Sequence, residues 1–162
     1  MIVAGIRSAL ILIATCGLAA CAGGQKIDKS SALDGDPSVA CPDVARLHAA
    51  QLHGSWDLLL VQPGQRGQLT LYQHPEFSAS LRGELRYGGE SSIASGDVDG
   101  GEFNLDESRD GKTLFAFWSG HLVPAACGAE IRGKWQPLPK EGQPAPTESD
   151  FILRRQPGPS TW

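Results

Sequence analysis

The sequence feature that most constrains the fold of this chain is an alternation of apolar and polar residues, with a period of two, from Leu52 to Arg155. Successive side chains of a β-strand point to opposite faces, so this period is typical of strands that bury one face. Turn residues interrupt the alternation every 8–14 residues. The pattern predicts eight strands, at Ser55–Val61, Gly67–Gln73, Ser80–Tyr87, Ser92–Asp97, Glu102–Glu107, Thr113–Val123, Ala129–Gln136 and Asp150–Arg155.

Most connections between these segments are short and contain turn residues such as Gly88-Gly89 and Asp110-Gly111. Short connections favour an up-and-down order of antiparallel neighbours. Eight strands are also the number at which a barrel encloses its own side chains or one small ligand. We therefore predict an all-β fold, a small eight-stranded antiparallel barrel, with a β-sandwich as the second choice.

Glycine recurs between large apolar residues inside three of the strands, in Leu81–Leu85, Trp118–Leu122 and Ile131–Trp135. Glycine weakens a strand, so its repeated use indicates bends or close packing where a sheet closes on itself. Before the first strand, Val44–Gln51 is suited to one short helix, which Gly54 ends.

The N-terminus carries a basic residue, Arg7, a short apolar run and then Leu18-Ala19-Ala20-Cys21. The run is shorter than the ~20 residues that span a bilayer, and it is typical of a removable secretion signal. The last four residues resemble the lipobox of bacterial lipoproteins. The resemblance implies cleavage after residue 20 and acylation of Cys21, which would then anchor the protein to a membrane through its N-terminal lipid.

This resemblance divides the chain into a signal peptide (1–20), a lipidated flexible tether (21–40), one barrel domain (41–157) and a short tail (158–162). It places the protein in the cell envelope. Ala22 is not the aspartate that retains lipoproteins at the inner membrane, so in a Gram-negative source we expect the outer membrane, facing the periplasm.

Only Cys41 and Cys127 remain once Cys16 leaves with the signal and Cys21 carries lipid. Two distant thiols in an oxidising compartment are expected to form a structural disulfide. The alternative is a reactive or metal-binding pair. The sequence has neither the Cys-x-x-Cys spacing nor the neighbouring histidine that would support it.

The formal net charge of the full chain is −4, and removal of residues 1–20 takes away one arginine and no acid, which gives −5. An acidic balance argues against binding nucleic acid. The sequence shows no zinc-ligand spacing, phosphate-binding loop or hydrolase motif, so we expect neither a cofactor nor enzymatic activity.

Gly54-Ser55-Trp56 resembles the opening of the first strand in the calycins, which are the lipocalin and avidin barrels. The run from Trp118-Ser119-Gly120 through Gly128-Ala129-Glu130 to Trp135 is similar to later strands of streptavidin. The resemblance implies that Trp118 corresponds to the tryptophan that packs on biotin in that family. The segment Asp57–Gln62 lacks the small hydroxyl donor that holds biotin there, so biotin is not the expected ligand.

The candidate contacts for a small apolar ligand or an envelope protein are aromatic: Trp56, Phe117, Trp118 and Trp135. The simpler interpretation places Trp118 and Trp135 in the barrel core, because large aromatic side chains dominate core burial. The strand Phe115–Trp118 carries bulky groups on both faces, which indicates burial on both sides or an exposed face that docks a partner.

Asp106, Ser108 and Asp110, followed by Gly111, match the first half of an EF-hand calcium loop. The twelfth position of that loop would be Phe117, which cannot bind the ion, and both flanking segments are predicted strands. A hairpin turn at Asp110-Gly111 accounts for the same residues, and we favour it over a metal site.

The sequence thus predicts a membrane-anchored, non-enzymatic envelope lipoprotein that binds a small apolar ligand or a protein partner. Two alternatives stay open: a periplasmic inhibitor of lysozyme or of proteases, and a structural component of the envelope.

Overall fold

The computed structural model describes residues 40–144 and 146–158. Its main feature is a closed barrel in which each strand pairs with its neighbours in chain order and the last pairs with the first. The strands are β1 (Gly54–Leu60), β2 (Gln65–Gln73), β3 (Leu81–Tyr87), β4 (Glu90–Asp99), β5 (Glu102–Ser108), β6 (Leu114–Leu122), β7 (Glu130–Pro137) and β8 (Ser149–Arg155).

Every pair of neighbouring strands is antiparallel, including the β1–β8 pair that closes the barrel. The predicted eight-stranded antiparallel barrel is therefore confirmed, and closure excludes the sandwich. The strands differ from the predicted segments by at most two residues at either end, which is the usual uncertainty of element boundaries.

The segment before β1 covers one end of the barrel. It forms a 3₁₀ turn (Val44–Arg46) and a four-residue helix α1 (Ala49–Leu52). Leu47 and Leu52 are buried against the core, and the Trp56 indole N–H donates to the carbonyl of Leu52 at 3.0 Å. We call this end the plugged end.

The predicted short helix before the first strand is present, but it spans Ala49–Leu52 rather than Val44–Gln51. The backbones of Leu47 and His48 are extended and separate the 3₁₀ turn from α1. The physical reason is the burial of Leu47, which is 7% exposed, together with the new N-terminal cap at His48, whose backbone N–H donates to the Gln51 side chain at 2.8 Å.

The Cys41–Cys127 disulfide is present, as predicted, and joins the first described residues to the loop between β6 and β7. Arg155 adds a second tie at the same end, because its guanidinium donates to the carbonyls of Gln51 and His53 at 2.6 and 2.7 Å. The plug is therefore held to the barrel covalently and by hydrogen bonds.

The barrel interior is filled by side chains from all eight strands. The largest fully buried ones are Trp56, Trp118, Phe103 and Phe151, accompanied by leucines. The predicted glycine motifs face this core. At Gly120 a Cβ atom would lie 2.8 Å from the ring of Phe151, so the glycine leaves the space that the phenylalanine fills.

Candidate functional site

The open end of the barrel lies opposite the plugged end and carries a buried acid, Glu107, on the inner face of β5. Glu107 is fully buried. Its Oε1 accepts hydrogen bonds from the Tyr87 hydroxyl at 2.8 Å and from the Ser92 hydroxyl at 2.5 Å. Its Oε2 accepts from the indole N–H groups of Trp118 at 2.9 Å and Trp135 at 3.3 Å.

These donors come from β3, β4, β6 and β7, so the single carboxyl group ties together five strands. A buried carboxyl group is costly unless its oxygens are hydrogen-bonded, and here both oxygens have partners. Burial and the negative charge of Glu107 raise the pKa of Tyr87 far above its ordinary value, which keeps the phenol a donor.

The aromatic rings of this network pack on one another as well as on the acid. The Tyr87 ring meets Trp118 and Trp135 edge-on, with centroid distances of 6.1 and 6.2 Å. Trp118 also packs on Phe151 at 5.1 Å. Aromatic packing thus occupies the space directly beneath the open end.

A β-bulge shapes the rim above this network. Glu107 pairs with Ala116, whereas Ser108 pairs with Leu114, so Phe115 is the extra residue. A bulge re-aims a side chain. The ring of Phe115 lies 6.3 Å from that of Trp135.

Arg109 completes the rim next to Phe115. Its guanidinium carbon lies 3.8 Å from the centre of the Phe115 ring, which is cation–π distance. Arg109 also forms an ion pair with Glu90, and its side chain stays 40% exposed.

Two surface grooves meet at Arg109. The first, here the apolar rim groove, has a volume of about 390 Å³ and walls that include Phe115, Leu138 and Pro139. The second, here the polar rim groove, has a volume of about 300 Å³ and lies between Arg86 and Arg109.

Two of the other grooves on the described part of the barrel are larger than either rim groove. One of about 550 Å³ crosses the outer surface of β6, β7 and β8, and we call it the outer groove. Its rim holds Lys134 and Asp150, which form an ion pair at 2.5 Å. The other, of about 440 Å³, lies at the plugged end and is lined mostly by alanine, serine and aspartate.

The structure brings two of the predicted aromatic contacts together and separates the others. Trp118 and Trp135 are paired across β6 and β7 and both donate to Glu107. Trp56 is fully buried at the plugged end, and Phe117 lies on the outside of β6 with 38% of its surface exposed. Cys21 lies outside the described residues.

The residues of the EF-hand-like run form a turn. The Asp110 carboxylate accepts from the backbone N–H groups of Lys112 at 2.8 Å and Thr113 at 2.7 Å, and from the Ser108 hydroxyl at 3.1 Å. These bonds hold the pKa of Asp110 well below its usual range. Within residues 40–144 and 146–158, no group of three or more His, Cys, Asp or Glu residues could hold a metal ion.

Sequence reasoning missed Glu107, Tyr87, Ser92 and Arg109 as site residues. A signal for Glu107 existed, because it occupies the inward position after Phe103 and Leu105 in the alternation of β5. An acid at such a position requires buried donors. Nothing in the sequence identifies which donors these are, because they lie on four other strands.

None of the described helices is long and apolar enough to cross a membrane. No family model matches the chain, and no curated protein is significantly similar to it.

Proposed function

We propose that this protein is a non-enzymatic, lipid-anchored protein of the cell envelope that binds a small ligand at the open end of its barrel. The observation that carries the proposal is the difference between the two ends. One end is closed by the protein's own chain, whereas the other presents an arginine, an aromatic ring and two adjoining grooves above a hydrogen-bonded floor.

The filled interior supports a site on the rim. Trp118 and Phe151 occupy the middle of the barrel, and the Glu107 network spans it just below the open end. A ligand therefore has room above this network and not within the core. The two rim grooves have volumes within the range of small-molecule sites.

The position of the anchor is consistent with this choice. The first described residues are tied to the plugged end by the Cys41–Cys127 disulfide. A lipid on Cys21 would therefore be attached, through residues 22–40, to the plugged end of the chain and not to the open end. This step rests on the lipobox resemblance.

The proposal is tested by native mass spectrometry of the mature chain, residues 22–162, secreted to a periplasm without the lipid cysteine. This chain contains the whole compact unit Val39–Trp162. We expect an additional mass that leaves on collisional activation. Leu138→Arg, which fills the apolar rim groove, should abolish the adduct, while Val61→Arg, a matched change beside the outer groove, should retain it.

A bare protein from several hosts, or an adduct that survives Leu138→Arg and disappears with Val61→Arg, would overturn binding at the open end. The same spectra report the disulfide as a two-hydrogen difference in mass, which serves as a control for correct folding.

A second candidate function is inhibition of a periplasmic enzyme. The connection between β7 and β8, residues 138–148, is much longer than the other connections at the open end, and long loops are frequently functional. Shortening this connection to a tight turn would abolish inhibition of lysozyme or of an envelope protease if the loop enters an active site. Absence of inhibition by the intact protein would remove this candidate.

A further inference from the structure

We propose that the two rim grooves form one site for an amphiphilic anion, whose carboxylate or phosphate head lies between Arg86 and Arg109 and whose apolar body lies along Phe115 and Leu138. This inference rests on the proposed function and names the ligand class. It follows from how charges and apolar groups are distributed about Arg109, which borders both grooves.

The polar rim groove has cations on two sides. Arg86 is exposed on β3, directly across from Ser91 on β4, and it takes part in no ion pair with another described residue. Arg109 borders the groove from the β5–β6 connection. Guanidinium groups bind carboxylate and phosphate through paired hydrogen bonds, and the Ser91 hydroxyl adds a further donor.

The acids beside this groove already have partners. Asp110 accepts three hydrogen bonds from its own turn. The Glu84 carboxylate accepts from the Tyr72 hydroxyl at 3.0 Å. Glu90 pairs with Arg109, yet 57% of its side chain is exposed. An incoming anion thus competes with the exposed carboxylate of Glu90 at Arg109, and Glu84, which also lines the groove, is the exposed carboxylate on the same strand as Arg86.

Arg109 is held in place before any ligand arrives. Its stacking on Phe115 and its pairing with Glu90 fix the guanidinium plane at the boundary of the two grooves. A guanidinium has five N–H donors, so these contacts leave donors for a ligand. Because the group is already ordered, binding costs less conformational entropy than it would with a free side chain.

The apolar rim groove begins on the other side of the same guanidinium. Phe115 and Leu138 are half-buried and held together by the hydrogen bond from the Leu138 backbone N–H to the Phe115 carbonyl at 2.8 Å. Pro139 continues this surface. A ligand with only a charged head would leave this surface exposed to water, whereas an alkyl or aryl body would cover it.

The test compares four probes on the mature chain, residues 22–162, below their micelle concentrations. Decanoate and decyl phosphate carry head and tail, decanol carries the tail alone, and inorganic phosphate carries a head alone. Calorimetry gives the affinity, and tryptophan fluorescence, to which Trp135 near Phe115 contributes, gives an independent readout. We expect both amphiphilic anions to bind at least tenfold more tightly than decanol or phosphate.

The variants Arg86→Gln and Arg109→Gln should each weaken binding of the amphiphilic anions by about tenfold, which corresponds to about 1.4 kcal/mol. Leu138→Ser should weaken the binding of the anions and of decanol alike. Arg46→Gln is the matched control, since Arg46 lies at the plugged end with 86% of its side chain exposed, and it should bind like the parent protein. Equal urea midpoints establish that the variants are folded.

The comparison of decanoate with decyl phosphate identifies which head the site prefers, and either preference supports the proposal. Equal binding of decanol and decanoate, or unchanged binding in both arginine variants, would overturn it. In that case a native-mass adduct that Leu138→Arg removes would still support binding at the open end, so failure of the anion hypothesis and failure of the proposed function are distinguishable.

Discussion

The Tyr87 hydroxyl lies 2.8 Å from Oε1 and 2.9 Å from Oε2 of Glu107, so one phenol bridges both oxygens of a fully buried carboxyl group. This relationship links β3 to β5, although β4 separates them in the barrel. It also explains why the interior of the barrel just below its open end is polar while remaining closed to water.

Tyr87→Phe should lower the free energy of unfolding by about 1–3 kcal/mol, because it removes a donor to a buried carboxyl group and leaves the ring packing intact. Urea denaturation followed by tryptophan fluorescence measures the change. Tyr72→Phe is the control, since its hydroxyl bonds to Glu84 on the exposed face of the barrel and its loss should cost far less. Equal effects of the two changes would contradict the role given to Tyr87.

Glu107→Gln should also destabilise the fold by about 1–3 kcal/mol. The glutamine amide nitrogen is a donor, so it would face a hydroxyl or indole N–H that also donates. Urea denaturation gives the free energy, and near-ultraviolet circular dichroism reports the environment of Trp118 and Trp135. Glu102→Gln, on the exposed face of the same strand, should leave both unchanged.

Gly120→Ala should destabilise the barrel by about 1–3 kcal/mol, because the new methyl group would overlap the ring of Phe151 and the carbonyl of Arg132. Thermal unfolding measures the effect. Gly158→Ala is the control, since a Cβ atom there meets nothing within 4 Å. Adding Phe151→Leu to Gly120→Ala should recover part of the loss, and a strictly additive double variant would contradict the packing argument.

Replacing both Cys41 and Cys127 by serine should lower the free energy of unfolding by about 2–5 kcal/mol. The bridge spans 86 positions of sequence, so its loss frees a long loop in the unfolded chain. It also releases the start of the plug, so hydrogen exchange should increase first around Leu47 and α1. The same urea midpoint with and without a reducing agent in the parent protein would show that the bridge does not stabilise the fold.

Acid should weaken the fold partly through Glu130, whose pKa is lowered by Arg154 and then by Arg132. Because the pKa of this carboxyl group is lower in the folded state than in the unfolded state, where it is about 4.3, ionised Glu130 stabilises the fold above that pH. The stabilisation is lost as the pH falls through the folded-state pKa. Below about pH 5, the free energy of unfolding of Glu130→Gln should therefore decrease less steeply than that of the parent protein. The two declines should differ by about 0.5–1 kcal/mol. A parallel decline in parent and variant would contradict this contribution.

The strand alternation and turn spacing predicted the eight strands and their order, and favoured the barrel over the sandwich. Leu81, Leu85 and Ile131 alternate with polar neighbours, and each lies fully buried on the inner face. Because the turns are short, each strand pairs most readily with the next strand in the chain, in the antiparallel orientation. The pairing of Cys41 with Cys127 likewise followed from elimination, once the other two cysteines were assigned to the signal and the lipid.

The break between the 3₁₀ turn and α1 was not predictable, because Leu47 leaves helical geometry and buries its side chain in the core beside Gly128, which is distant in sequence. Local propensity favours a continuous helix there. Tertiary burial overrides it.

The sequence by itself determined eight antiparallel strands in chain order and one disulfide, because period-two burial and turn spacing are local properties that a chain displays directly. Only the tertiary structure decided that Glu107 accepts hydrogen bonds from Tyr87, Ser92 and two tryptophans. It also decided that a bulge turns Phe115 toward Arg109 at the rim. These contacts join residues from separate strands, and their geometry depends on barrel closure and strand register, which no local pattern specifies.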